Sequence, residues 1–152
     1  RQRQMCIRDS KGKVVFIDDS IATRTAAVAA ALRAAPAPIA WILGGEDKGA
    51  DLEALRPLLP RVRVALAIGR DGPKLAASLG EEVEVVVIGE REGRKAMERA
   101  VAEALWRLEE GSVLLAPLAA SFDQFRDYKD RARAFREAVF ALGGEPWTPS
   151  TS

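Results

Sequence analysis

The sequence predicts a three-layer α/β fold, in which a mostly parallel, open sheet carries helices on both faces. Five short apolar runs alternate with longer segments of helical periodicity. Each run is apolar nearly throughout, which is typical of strands buried on both faces. The 152 residues, 48% hydrophobic and 30% charged, suffice for one domain with its own core and exclude a disordered chain.

The five predicted strands are VVFI (14–17), IAWIL (39–43), VALAI (64–68), VEVVVI (83–88) and SVLLA (112–116). Predicted helices follow them over 22–34, 50–59, 72–79, 93–109 and 122–142. The clearest is 93–109, where Met97, Val101, Ala104 and Leu108 form one apolar stripe. Because strands and helices alternate, the strands are expected to run parallel.

Both ends of the chain are expected to lie outside this domain. Residues 1–10, RQRQMCIRDS, have no apolar period and are predicted to be a non-native leader, with a functional basic arm as the alternative. Residues 144–152 are predicted to be a weakly ordered tail. One domain is therefore predicted over residues 11–143, with no second domain.

Composition excludes several classes of function. The chain has no histidine and a single cysteine, Cys6, so histidine catalysis, an internal disulfide and a cysteine zinc site are excluded. Five of the 23 basic residues lie within the first 13 positions, which leaves the remainder mildly acidic and gives no case for nucleic-acid binding. No apolar run approaches the roughly 20 residues of a membrane helix and no signal peptide is visible, so we expect no membrane partner and a cytoplasmic location.

Two loops at the carboxyl ends of predicted strands are candidates for a site, because ligands of open α/β sheets bind there. In IDDSIAT (17–23), an aspartate or serine would cap the next helix, or a carboxylate would face a metal or nucleotide. In GGEDKG (44–49), the glycines permit close approach of a ligand and Lys48 offers a compact positive charge to an anion. The alternative for the second loop is a solvated turn with a surface lysine.

A third candidate loop is APLAASFDQF (116–125), which follows the last predicted strand. Ser121 and Gln124 have the spacing of a capping box, so this serine is predicted to cap the next helix. The free amides of a helix N-terminus would also attract an anion. The three loops together favour a small dianion as ligand.

Three motifs, DDSIAT…AL, ILGGEDKGADL and ASFDQFRDYKDRARAF, resemble the C-terminal domain of the UDP-N-acetylmuramoyl-L-alanine:D-glutamate (MurD) ligases in order and spacing. The resemblance covers residues from about 12 to about 143. It implies a Rossmann-like Mur ligase C-terminal fold. It also implies a reaction in which ATP phosphorylates the precursor's carboxyl, D-glutamate attacks the acyl phosphate, and Mg²⁺ neutralises phosphate charge. In this family the domain holds D-glutamate and closes over ATP.

The resemblance also implies roles for residues that would contact D-glutamate. Lys48 matches the family lysine that pairs with a D-glutamate carboxylate. Thr23 and Ser121 match hydroxyl residues that hydrogen-bond carboxylate oxygens. Phe122 and Tyr128 match positions in the wall of the same pocket, where the family commonly has phenylalanine at the second.

On the nucleotide side, Asp19 matches an acidic residue of the family. Two positions depart from the family pattern. Ile21 replaces a lysine of some members and so offers no cationic contact to a nucleotide phosphate, and Ala116 replaces a common serine with little expected consequence.

The sequence contains no G-x-x-x-x-G-K-[ST] phosphate loop. In the family that loop, the metal ligands and a modified lysine belong to a central domain, and the uridine nucleotide is held by an N-terminal domain. The resemblance therefore implies a fragment with no catalytic residue or metal ligand of its own, and ATP and Mg²⁺ bound mainly elsewhere. We expect the isolated chain to be inactive and to bind D-glutamate at millimolar concentration or more weakly.

Other classes of function stay open at this point. A receiver-like signalling domain shares the five β–α repeats and the paired aspartates, but lacks the aspartate expected near 68–70 and has Ala116 where it needs a lysine. A stand-alone α/β module binding a small anion or nucleotide is the second alternative, although the G-x-G-x-x-G fingerprint is absent. The third is a structural domain whose loops are only caps and turns.

Overall fold

A computed structural model of the chain describes residues 3–9, 12–45, 51–119, 124–142 and 145–146. The strands are β1 (Arg3–Asp9), β2 (Gly12–Asp18), β3 (Ile39–Gly44), β4 (Val62–Ile68), β5 (Val85–Val87), β6 (Gly111–Leu115) and β7 (Glu145–Pro146). The α-helices are α1 (Thr25–Ala34), α2 (Gly72–Leu79), α3 (Gly93–Arg107) and α4 (Tyr128–Ala141). A 3₁₀ helix covers Glu53–Arg61.

The strands of the described chain form one sheet in the order β5-β4-β3-β6-β2-β1-β7. The first five strands in this order run parallel to one another. Strand β1 pairs antiparallel with β2, and β7 pairs antiparallel with β1. Five parallel strands alternating with helical segments confirm the predicted α/β fold, and each of the five apolar runs overlaps a strand. The run 83–88 is the exception in length and burial, because only Val85–Val87 pairs as β5 and this short strand is partly exposed.

Two apolar layers enclose the sheet, because successive side chains of a strand point to opposite faces. On β3, Trp41 and Leu43 pack with α1, the 3₁₀ helix and α2 on one face. Ile42 of the same strand and Phe16 of β2 pack with α3 and α4 on the other face. The sheet is therefore the middle of three layers, as predicted.

Strand β6 marks a switch in the path of the chain. It lies between β2 and β3, and the helix that follows it, α4, covers the opposite face from the helices that follow β2 and β3. Adjacent strands whose connections leave to opposite faces open a crevice at their carboxyl ends. The fold thus places a potential binding crevice where β2, β6 and β3 end.

Helix boundaries differ from the predictions by two or three residues at α1, which begins at Thr25, and at α3, which ends at Arg107, and by more at two other places. The segment predicted as a helix over 50–59 is a 3₁₀ helix with Pro57 and Pro60 inside it, because proline lacks the N–H that an α-helix would use. The helix predicted over 122–142 begins only at Tyr128. There the Asp127 carboxylate accepts a hydrogen bond from the Asp130 N–H at 2.8 Å.

The structure also differs from the expectation that residues 1–10 take no part in the fold. Arg3–Asp9 pairs with Gly12–Asp18 along its whole length, and Glu145–Pro146, within the predicted tail, pairs with Met5 and Cys6. Strand β1 is held by backbone N–H and C=O groups shared with β2 and β7, so it needs no apolar period of its own. That the first ten residues are a non-native leader stays a prediction.

A small ion-pair cluster joins α3 to the start of β4 near the amino ends of the strands. The Glu84 carboxylate accepts hydrogen bonds from Arg107 Nε and from Arg63 Nη1, each at 2.7 Å. The hydrogen bond from Arg107, and then that from Arg63, lowers the pKa of Glu84 below its ordinary value of 4.5. A carboxyl with a lowered folded-state pKa stabilises the fold above that ordinary value and loses its contribution as the pH falls through the folded-state pKa.

Replacing Glu84 by glutamine should therefore reduce stability more at neutral than at acidic pH. We expect the Glu84→Gln variant to lose less than about 1 kcal/mol of unfolding free energy at pH 7, because the side chain is nearly half exposed. The loss should be smaller at about pH 3, because protonation of the wild-type carboxyl, as the pH falls through its lowered folded-state pKa, removes this contribution. Urea unfolding at both pH values measures this, with Glu98→Gln on α3 as control. An equal loss at both pH values would show that the ion pairs do not act as described.

Candidate functional site

Three loops begin side by side at the carboxyl edge of the sheet. We name them the first loop (19–24), after β2, the second loop (45–52), after β3, and the third loop (116–127), after β6. Backbone hydrogen bonds join their bases: Leu118 N–H donates to Ala22 O, and the N–H of Gly44, the last residue of β3, donates to Pro117 O, both at 2.9 Å. The described parts of the three loops therefore form one connected surface.

The second loop leaves β3 through two glycines that the backbone requires. Gly44 has φ +126° and Gly45 has φ +134°, a region that side chains disfavour. A Cβ on Gly44 would lie 1.9 Å from the carbonyl oxygen of Ile68, at the end of β4. The Gly45 carbonyl accepts a hydrogen bond from Asp71 N–H at 3.0 Å. These glycines thus let β3 turn away closely against its neighbour strand.

Arg131 of α4 connects the bases of all three loops from inside the protein. The residue is only 1% exposed. Its Nη1 donates to Ala119 O at 2.9 Å and to Gly44 O at 3.4 Å, and its Nη2 donates to Ser20 O at 3.2 Å. Arg131 is not among the predicted site residues. A signal for it exists in the sequence, because it falls on the buried stripe of α4 with Phe135 and Val139.

The first loop is organised by the buried carboxylate of Asp18. Its Oδ1 accepts from Ser20 N–H at 3.0 Å, and its Oδ2 accepts from Arg136 Nη1 at 3.3 Å. The prediction that an aspartate or serine of this loop caps α1 is wrong, since the N-cap is Arg24 and no side chain bonds there. Asp18 instead closes a local turn, which competes with capping for the same carboxylate.

The third loop is held near its start by Arg131 and again further along by the side chain of Gln124. Gln124 Nε2 donates to the carbonyls of Glu90 at 3.0 Å and Arg91 at 3.2 Å. A Cβ on Gly93 would lie 2.6 Å from Gln124 O, so the loop packs directly on the start of α3. The predicted capping box with Gln124 is therefore wrong. Its amide serves this loop contact, and Asp127 is the N-cap of α4.

A cleft of about 510 Å³ opens beside these loops, at the carboxyl ends of β4 and β5. Its wall includes Arg70, Gly89 and Arg91, together with Gln124 of the third loop. The Arg70 guanidinium also lies 3.6 Å from the Asp71 carboxylate. The same sheet edge therefore combines space for a ligand with guanidinium groups and backbone amides, which suits a polar or anionic molecule.

The structure describes only some of the predicted site residues. Thr23 is exposed in the first loop, and Asp19 is half-buried there, with its N–H bonded to Leu115 O at 2.9 Å. Tyr128 is exposed at the start of α4. The remaining three, Lys48, Ser121 and Phe122, lie outside the described residues, and their place at this site stays a prediction.

Neither a metal centre nor a membrane span is found in the part of the chain that the structure describes. There, no group of three or more histidine, cysteine, aspartate or glutamate side chains is placed to hold a metal ion. None of the described helices is long and apolar enough to cross a bilayer.

Comparison with known proteins identifies a family. Residues 2–119 match the family described as "Mur ligase, glutamate ligase domain". The chain is 80% identical over 142 residues to the UDP-N-acetylmuramoylalanine--D-glutamate ligase of Thermus thermophilus, covering 93% of this chain and 34% of that protein. The same enzyme of Deinococcus radiodurans is 52% identical over 139 residues, covering 88% of this chain and 30% of the relative.

The ligase of Zymomonas mobilis is 45% identical over 141 residues, with 92% of this chain and 30% of the relative covered. The chain thus spans about a third of the length of the curated relatives it matches. The family match covers most of the described fold, including β2, β3 and β6 with the first and second loops. The chain therefore belongs to the Mur ligase family, in its glutamate ligase domain.

Proposed function

We propose that this chain is the D-glutamate-binding part of an ATP-dependent ligase that adds D-glutamate to UDP-N-acetylmuramoyl-L-alanine in peptidoglycan synthesis. The observation that carries the proposal is the connection of the three motif-bearing loops at the carboxyl ends of β2, β3 and β6. The names of its relatives, which are D-glutamate ligases at up to 80% identity, support the choice of amino acid.

D-glutamate carries two carboxylates and one amine, so its site must hold the acids and leave the amine free to react. Lys48 is proposed to pair with one carboxylate as a point charge. The hydroxyls of Thr23 and Ser121 would donate to carboxylate oxygens. Phe122 and Tyr128 would form the apolar wall along the side chain. Fixing both carboxylates orients the amine toward the acyl group and lowers the entropic cost of the reaction.

The nucleotide side of the site depends less on this chain. Asp19, half-buried at the end of β2, is proposed to face the nucleotide. Ile21 in the same loop is exposed and supplies no charge for a nucleotide phosphate. The described residues offer no carboxylate cluster fit for Mg²⁺, so no Mg²⁺ site is assigned to them. We propose that ATP and Mg²⁺ are bound mainly by the rest of a complete ligase. We also propose that the reaction takes place in the cytoplasm, together with its nucleotide substrates.

The alternatives from the sequence receive no further support. In the structure β4 ends at Ile68 and is followed by Gly69 and Arg70, where a receiver domain would need its aspartate. The chain's family membership also weighs against a stand-alone signalling or anion-binding module.

A chimera tests the proposed function. Residues 11–143 of this chain would replace the matching third of the Thermus thermophilus ligase. We expect phosphate release from ATP that depends on both the nucleotide precursor and D-glutamate, and much less release with L-glutamate. The isolated chain should release no phosphate, because its sequence has no phosphate loop. It should bind D-glutamate at about millimolar concentration or more weakly, because ion pairs that water can reach contribute little binding free energy.

Two results would contradict the proposal. One is a folded chimera that binds ATP and precursor but shows no D-glutamate-dependent phosphate release. The other is phosphate release by the purified chain alone that depends on ATP and D-glutamate. The unmodified Thermus thermophilus ligase, which keeps its native segment, is the matched control for the assay.

A further inference from the structure

One buried side chain, Arg131, sets the relative position of the three loops. Its guanidinium donates to the carbonyls of Ser20, Gly44 and Ala119, and each of these carbonyls lies at the base of a different loop. The carbonyl dipoles direct their partial negative charge at a cation that has almost no access to water. A shift of this guanidinium would therefore be transmitted to all three loops at once.

The residues proposed to contact D-glutamate follow these carbonyls closely. Thr23 lies three residues after Ser20. Lys48 lies four residues after Gly44, and Ser121 lies two residues after Ala119. A loop is best controlled close to the point where its backbone is fixed. We propose that Arg131 is a positioning residue for D-glutamate binding, an inference that rests on the proposed function.

Helix α4 provides a rigid support for Arg131. One turn further along, the Phe135 ring lies 6.2 Å from the Phe16 ring of β2, and the residue is fully buried. Arg136 is bonded to Asp18, and Glu137 is paired with Arg94 of α3. The contacts of Phe135 and Glu137 thus hold the helix against the sheet and against α3 independently of the loops, so the guanidinium starts from a fixed position.

The chemistry of arginine suits this role better than that of lysine. A guanidinium is planar and presents five N–H donors in a fixed fork, whereas an ammonium is a compact charge on a flexible stem. A lysine at position 131 would keep the charge and the helix propensity. It would not hold the three carbonyls at fixed positions relative to one another, because the N–H groups of an ammonium are too close together and too free to rotate.

The experiment compares Arg131→Lys with Val139→Ala in the chimera described above. Val139 is buried in the apolar core two turns further along the same helix, near its carboxyl end. We expect Arg131→Lys to raise the KM for D-glutamate roughly tenfold or more, because small displacements of binding groups weaken binding strongly. The KM for the nucleotide precursor should change less than about twofold. Val139→Ala should lower Tm and leave both KM values unchanged, with all assays run well below the Tm of either variant.

The inference is overturned if folded Arg131→Lys keeps the KM for D-glutamate, or raises it no more than Val139→Ala does at equal loss of Tm. If Arg131→Lys does not fold, Arg131→Gln, which retains two N–H donors, is judged by the same criteria. An inactive chimera without either substitution contradicts the proposed function and this inference together. An active chimera with an unaffected Arg131→Lys contradicts this inference alone.

Discussion

Replacing Lys48 by alanine in the chimera is expected to lower kcat/KM for D-glutamate roughly 10²- to 10³-fold. In the proposed function, the site would close against the rest of the ligase and exclude water, which would strengthen the pair between the ammonium and a D-glutamate carboxylate. Removing the ammonium leaves that carboxylate without its partner in a dry site. Steady-state kinetics with D-glutamate varied measure the loss.

Lys13 provides the control for Lys48. It is exposed near the amino end of β2, at the opposite edge of the sheet from the three loops. Lys13→Ala should change kcat/KM for D-glutamate less than about twofold and stability by no more than about 0.5 kcal/mol. Similar kinetics for Lys48→Ala and Lys13→Ala, in folded proteins, would remove Lys48 from the site.

Replacing Gly44 by alanine is expected to lower the free energy of unfolding of this chain by about 3 kcal/mol or more. Two costs add: the residue has φ +126°, and its new Cβ would meet the Ile68 carbonyl oxygen at 1.9 Å. Because that contact is with backbone, β3 and β4 must separate at their carboxyl ends. Urea unfolding measures the change.

Gly89 is the matched control for this glycine. It follows β5 near the same sheet edge, and a Cβ there would have no heavy atom within 4 Å. Gly89→Ala should change the unfolding free energy by no more than about 0.5 kcal/mol. Equal stability of the two variants would mean that the close approach of β3 and β4 at Gly44 is not required.

The sequence predicts the central strands β3, β4 and β6 well because they are buried. Apolar runs such as IAWIL at 39–43 and VALAI at 64–68 are covered on both faces, and this leaves a strong signal. It predicts α2 over 72–79 with the observed bounds, since glycine and proline mark its start. Strand β1, which lies between β2 and β7, is not predicted by the sequence, because pairing through the backbone leaves no side-chain pattern.

The site could be predicted only in part. Position along the chain indicates which loops follow neighbouring strands, and the motif resemblance implies roles for Lys48 and Ser121. Neither indicates that Asp18 would close a turn rather than cap α1, because both uses need the same carboxylate. The contacts of Arg131 join segments more than 80 residues apart, such as Gly44, and only the tertiary fold brings these together.

The most direct test of the proposed site is a crystal structure of the chimera with D-glutamate bound. We expect D-glutamate at the carboxyl ends of β2, β3 and β6, with the Lys48 ammonium and the hydroxyls of Thr23 and Ser121 within hydrogen-bond distance of its carboxylates. D-glutamate bound away from these loops would contradict this site. So would a Lys48 side chain on the opposite sheet edge from Ser121 and Thr23.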